Sequence, residues 1–210
     1  MARPSYSESE VQEIEDRIQA AALQVFAAEG YRNFSLRAVA RQMGLTPPAL
    51  YRYVDNKDSL LAEIRAEGFR RLGDIFRDLK NERTKPELKA RKLMHAYLQF
   101  AYDEPALYCV MYELDQDEAP LPGWAHEIRQ STFNVALDIA RDFAHERDLD
   151  IEPLHLVHLW WSGIHGLAGL DLAKQLNMGA SREALLEPLI GLLTNVDHLQ
   201  STFTSKQVSN

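Results

Sequence analysis

The chain has 210 residues, 46% hydrophobic and 26% charged, with 23 Lys plus Arg against 31 Asp plus Glu and a formal net charge of −8. Ten glycines and nine prolines are too few for a fibrous or low-complexity chain, the apolar share excludes global disorder, and the one cysteine, Cys109, excludes an internal disulfide or a cysteine-based zinc site. Taken alone, the acidic balance disfavours nucleic acid as a partner.

In chain order, residues 1–9 are polar and aperiodic. From Glu10 to Glu29 a one-faced stripe (Val11, Ile14, Ile18, Ala21, Ala22, Val25, Phe26) predicts a helix closed by Gly30. Tyr31 to Phe34 read as a link. Ser35 caps a second helix, Leu36 to Met43, and Gly44 makes a turn in which Leu45 is expected to be buried. Thr46 is placed to cap a third helix, from Pro47 at its first position to about Tyr53. Asp55 or Asn56 then caps a long fourth helix reaching roughly Lys80. The polar stretch from Asn81 to Pro86 divides the chain into residues 1–80 and 81–210. Beyond it, helices open at Pro86 and Pro105, an acidic loop covers Asp115 to Gly123, and further helices span Trp124 to His145, Glu152 to Leu176 and Arg182 to Leu199 behind the cap Ser181. No alternating run bounded by hairpin turns reads as a strand. The fold class is all-α, with about nine helices. A three-helix N-terminal domain is joined by a long helix to a helical C-terminal domain.

The segment from Ser35 to Lys57, SLRAVARQMGLTPPALYRYVDNK, holds two short capped helices around a minimal glycine turn. Ala40 permits a close crossing, and Val39, Leu45 and Leu50 form the wedge that sets its angle. That is the layout of a helix–turn–helix, whose second helix enters the major groove of DNA. Charge agrees. From Gly30 to Lys57 five basic residues (Arg32, Arg37, Arg41, Arg52, Lys57) face one acid, Asp55, giving a local charge of +4, whereas residues 71–210 carry −7. Thr46 can donate to a phosphate or base edge, Pro48 and Ala49 suit a thymine methyl, and Tyr51 and Arg52 point outward when Leu50 points inward. Ser35, Arg37 and Arg41 are candidate clamps on the flanking backbone.

Over residues 21–64, AALQVFAAEGYRNFSLRAVARQMGLTPPALYRYVDNKDSLLAEI, the chain resembles the DNA-binding domain of the TetR family of bacterial transcription regulators. The resemblance is carried by Ala22, Phe26, Gly30 and Tyr31 and by the run from Leu50 to Leu60. Pro47-Pro48-Ala49 stands where the family commonly has a glycine after the cap. The likeness implies phosphate-contacting roles for Tyr51, Tyr53 and Lys57. It further implies a homodimer on a palindromic double-stranded operator and a small-molecule effector that releases it. The expected protein is a cytoplasmic repressor with no cofactor, no metal and no membrane span. An activator or ligand-independent regulator of the same fold is the alternative.

Residues 154–172, LHLVHLWWSGIHGLAGLDL, are apolar around more than one face, with Gly163, Gly166 and Gly169 allowing close backbone approach. Trp161, His165 and Gly166 are similar to a Trp…His-Gly pattern in the regulatory domain of one TetR subgroup. The dimer surface is expected from Trp160, Gly163, Leu167, Leu170, Leu185, Leu189, Leu192 and Leu193. Effector contacts are expected from Tyr97, Phe100, Tyr108, Met111, Tyr112, Trp124, Phe133, Trp161 and His165, a mixture suited to a planar or lipophilic molecule. No arginine or carboxylate constellation declares that molecule's charge. His155, His158 and His165 have helical spacing but no further ligand beside them. An enzyme, the competing class, would need a nucleophile elbow, a phosphate loop or a zinc helix, and the sequence contains none of these motifs.

Overall fold

A computed structural model describes residues 8–112 and 121–195. Among these residues the chain forms nine α-helices and no strand. They are α1 (Glu8–Asn33), α2 (Leu36–Gln42), α3 (Pro47–Leu50), α4 (Lys57–Asn81), α5 (Pro86–Asp103), α6 (Pro105–Tyr112), α7 (Gly123–Glu146), α8 (Pro153–Leu172) and α9 (Arg182–Leu193). They divide into two compact units, residues 1–68 with 106–126 and residues 69–105 with 127–210. The unit boundary therefore falls inside α4, between Gly68 and Phe69.

In the first unit the apolar stripe of α1 is buried at Ile18, Ala22, Val25 and Phe26, together with Phe34, Val39, Leu50, Leu60, Leu61 and Ile64. Gly30 adopts φ 67° and breaks the helix as its sequence predicts, but a further helical turn follows to Asn33. The link is thus one turn of helix, closed by Phe34 N–H donating to Gly30 O at 3.0 Å. Gly68 marks a close approach of α4 and α6, because a Cβ there would collide with Met111.

In the second unit α5 packs on α8 and α8 on α9. Gly163 lets α9 approach α8, since a Cβ at that position would lie 2.8 Å from a Leu193 methyl. Trp160 is 1% exposed, stands edge-on to Phe143 at 5.3 Å, and donates its indole N–H to Leu193 O at 3.0 Å. Its expected place on a dimer surface is therefore corrected: the large ring fills this unit's own core. Leu167, at 5% exposure, is corrected in the same way. Lys80 reaches Asp138 on α7 at 2.5 Å and holds that carboxyl below its ordinary range.

α9 ends at Leu193 with Thr194 as its cap, short of the expected Leu199; residues 196–199 of that expectation lie outside the described residues, as does most of the acidic loop. Among the described residues no helix is long and apolar enough to cross a membrane, and no group of three His, Cys, Asp or Glu is placed to hold a metal ion.

Candidate nucleic-acid interface

The reading unit is built by local caps. The Ser35 hydroxyl accepts from Ala38 N–H at 3.2 Å and starts α2. At the turn Gly44 has φ 68°, a conformation in which a side chain is strained, and Leu45 N–H donates back to Ala40 O at 2.9 Å. Leu45 is half-buried rather than buried, so the wedge between the helices rests on Val39 and Leu50, both at 0% exposure.

The second helix is shorter than its sequence suggests. α3 ends at Leu50, and Tyr51 to Tyr53 continue as turns with Tyr53 N–H on Leu50 O at 2.9 Å. Thr46 occupies the cap position in extended backbone, yet its side chain makes no cap hydrogen bond. The proline pair opens the helix without that help, because Pro47 and Pro48 have no N–H to satisfy and their φ is already helical. The Thr46 hydroxyl is thereby left at the surface for another acceptor or donor.

Exposure sorts the candidate contacts. Arg37, Arg41, Thr46, Pro48, Tyr51 and Arg52 are exposed, while Ser35, Ala49, Tyr53 and Lys57 are half-buried. Arg41 pairs with Glu29 on α1 at 3.4 Å, an exposed contact worth little and open to competition by a phosphate. Lys57 is held more firmly. Its ammonium donates to Tyr31 O at 2.8 Å and lies 3.8 Å from the centre of the Tyr31 ring. An ammonium has three donors, so this bond leaves capacity for a phosphate oxygen while fixing where the charge sits. Asn56 caps α4 reciprocally with Ser59: Ser59 N–H donates to Asn56 Oδ1 at 2.8 Å, and Asn56 N–H to Ser59 Oγ at 3.2 Å. Of the two caps open in the sequence, Asn56 is the one used. The roles of Tyr31 and Ser59 were missed, although both lie within the motif quoted above.

Residues 18–64 match the family described as bacterial regulatory proteins, tetR family, and residues 90–193 match the tetracyclin repressor-like C-terminal domain. The chain belongs to the TetR family. It is a DNA-binding transcriptional regulator with an N-terminal helix–turn–helix. Among curated relatives it is 33% identical over 88 residues to the HTH-type regulator YobS of Bacillus subtilis, covering 42% of this chain and 46% of that protein. It is 27% identical over 116 residues to Rv1816 of Mycobacterium tuberculosis, covering 54% and 47%. The chain thus matches about half the length of these relatives. Among solved structures, SCO4313, described as a regulatory protein, aligns at a TM-score of 0.75 and 27% identity, over 90% of this chain and 98% of that one. FadR from Bacillus subtilis, in complex with stearoyl-CoA, aligns at a TM-score of 0.72 and 18% identity over 86% and 97%, which speaks to the fold alone.

The TetR-type regulatory region places the nine candidate effector residues in two groups. Tyr108, Met111, Tyr112 and Trp124 belong to the first unit, where the Tyr108 and Tyr112 rings lie 5.0 Å apart and Trp124 is 47% exposed. Tyr97, Phe100, Phe133, Trp161 and His165 belong to the second. There Trp161 Nε1–H donates to Tyr97 Oη at 3.0 Å, and Tyr97 Oη lies 3.0 Å from His165 Nδ1. An indole only donates, so Tyr97 Oη accepts from Trp161, and the direction of its bond with His165 follows the imidazole tautomer. His158, absent from the expected set, extends this aromatic face, with its ring 5.1 Å from Phe133 and 6.1 Å from Trp161. Phe100 is buried, at 5% exposure.

Arg65 was also missed. It is 1% exposed, and its register explains why: it lies one turn after Leu61 and one turn before Phe69, on the apolar stripe of α4.

Proposed function

We propose that this regulator acts as a homodimeric repressor on a palindromic operator and that a small-molecule effector releases it. Functionally, residues 1–80 read DNA and residues 81–210 pair the subunits and bind the effector. The observation that carries the reading is the exposed set Arg37, Arg41, Thr46, Pro48, Tyr51 and Arg52 around a capped helix–turn–helix, with Lys57 fixed at its edge. One such unit reads few base pairs, and two-fold pairing doubles the site.

Support for pairing comes from α8 and α9. Leu159, Gly163, Gly166 and Leu170 fall at helical spacing on α8, with Leu159 37% and Leu170 51% exposed. On α9, Leu185 and Leu192 are two turns apart and 37% and 55% exposed. Apolar surface of this kind is what a partner subunit covers, and half-buried Gly163, Leu189 and Leu193 lie beside it.

The effector reading rests on the aromatic relay of Tyr97, Trp161 and His165. A lipophilic ligand with a polar head matches that mixture, and stearoyl-CoA is the first compound to test. Effector binding shifts α4, which is covalently continuous with the reading unit. Titration of stearoyl-CoA and shorter acyl-CoAs into a protein–operator gel shift tests this, with release of DNA as the expected result. A compound that binds the protein while operator affinity stays constant overturns the release mechanism. An activator role would leave the DNA contacts as described and would appear as higher transcription when protein is bound.

A further inference from the structure

We propose that Thr132 is a positioning residue, which through one hydrogen bond sets the course of α4 and so the affinity for the operator. The proposal rests on the reading of α4 as the link between effector and DNA.

Thr132 lies in the middle of α7 and is 4% exposed. A threonine within a helix usually gives its proton to the carbonyl four residues back, here Ile128 O at 3.2 Å. The shorter contact is to another helix: Thr132 Oγ1 lies 2.6 Å from Phe69 O on α4. One hydroxyl has one proton, and the distances assign it to Phe69. Phe69 O is itself part of the α4 ladder, four residues before Gly73. The absence of a side chain at Gly73 makes room for the approach, because a Cβ there would lie 2.7 Å from Thr132 Oγ1. Two further contacts hold the same pair of helices, the Arg129 guanidinium 5.9 Å from the Phe69 ring and Lys80 on Asp138.

A helix carbonyl that takes a second donor tilts toward it, and helices bend where a side chain enters the ladder. The stretch held by this bond, Phe69 to Gly73, begins at the unit boundary inside α4. α4 is one helix from Lys57 to Asn81, so the same element that takes the Thr132 hydrogen bond also opens beside the reading unit in the sequence. Loss of the hydroxyl leaves no polar group stranded, since Phe69 O keeps its place in the ladder, but a methyl cannot approach an oxygen as closely as a hydroxyl does.

The test uses the full-length protein labelled with carbonyl-13C phenylalanine and 15N arginine. Only Phe69-Arg70 and Phe76-Arg77 then give carbonyl–amide correlations, and the second is an internal control. In Thr132→Val the Phe69 carbonyl resonance moves upfield while that of Phe76 stays, and Thr132→Ser restores it. In gel shifts with the selected operator, Thr132→Val binds about five-fold more weakly and Thr132→Ser within about two-fold of the parent. An unchanged Phe69 resonance in Thr132→Val overturns the hydrogen bond. A shifted resonance with unchanged operator affinity overturns the positioning role. Should Thr132→Val not fold, Gly73→Ala, which displaces the hydroxyl sterically, takes its place with the same expected outcomes. Failure of the parent protein to select any operator would instead sink the repressor reading, and the carbonyl shift would still decide the bond.

Discussion

The Lys57 ammonium joins Tyr31 O and the Tyr31 ring, so its removal is expected to act twice. Lys57→Ala should weaken operator binding about ten-fold in gel shifts at fixed salt, as loss of a phosphate contact does. It should also lower the melting temperature by about 2–4 °C, as loss of roughly 1 kcal/mol does in a chain of this size. Tyr51→Phe, with its ring 53% exposed, should weaken binding without the thermal effect. Glu63 offers a pH test. Burial, then Glu15 and Asp55, raise its carboxyl above 4.5 in the folded state. The native protein therefore holds that proton where the unfolded chain has lost it, and the group subtracts stability as pH rises from about 4.5 through the folded value. Glu63→Gln should be more stable at pH 7, by less than about 1 kcal/mol because the carboxylate is largely screened. The difference should vanish below the unfolded value in urea titrations. Single residues were the least legible part of the sequence. Arg65 drew no reading from the sequence, although its register on the α4 stripe, between Leu61 and Phe69, points inward.

At the scale of elements, helix starts were readable because their signals are local. Pro47, Pro86, Pro105 and Pro153 each stand first in a helix, and Ser35 and Ser181 each accept from the backbone three residues on. Helix ends were less readable. The pattern after Leu50 stays compatible with helix to Tyr53, while the backbone leaves it at Leu50, where short-range turn bonds replace the ladder. α8 shows another limit. It is apolar all round, so periodicity cannot say that Trp160 faces its own core while Leu159 and Leu170 face outward. The two hydroxyl residues that open α2 and α3 make a contrast that can be measured. Ser35→Ala should cost about 1 kcal/mol in chemical denaturation, as a used cap does. Thr46→Ala should leave stability unchanged and alter operator affinity, since its hydroxyl serves no cap.

For the whole molecule, the net charge of −8 is misleading until it is divided. The acidity lies mainly beyond residue 70, and the helix–turn–helix keeps its +4 patch. This distribution limits non-specific attraction while preserving contacts at a matched site. The same scale governs pairing. If the proposed dimer forms through this surface, Leu192→Glu, on the exposed side of α9, should leave a monomer in sedimentation equilibrium and reduce operator affinity by more than ten-fold, because one reading unit loses its tethered partner. Its circular dichroism should remain that of the parent, since Leu192 is 55% exposed in its own chain. The central claim, that a two-fold pair of these helix–turn–helix units reads DNA, is tested most directly by selecting bound duplexes from a random pool. The account predicts an enriched palindrome whose half-site centres lie about 34–36 Å apart. Enrichment of a single asymmetric half-site, or of no sequence at all, would contradict it.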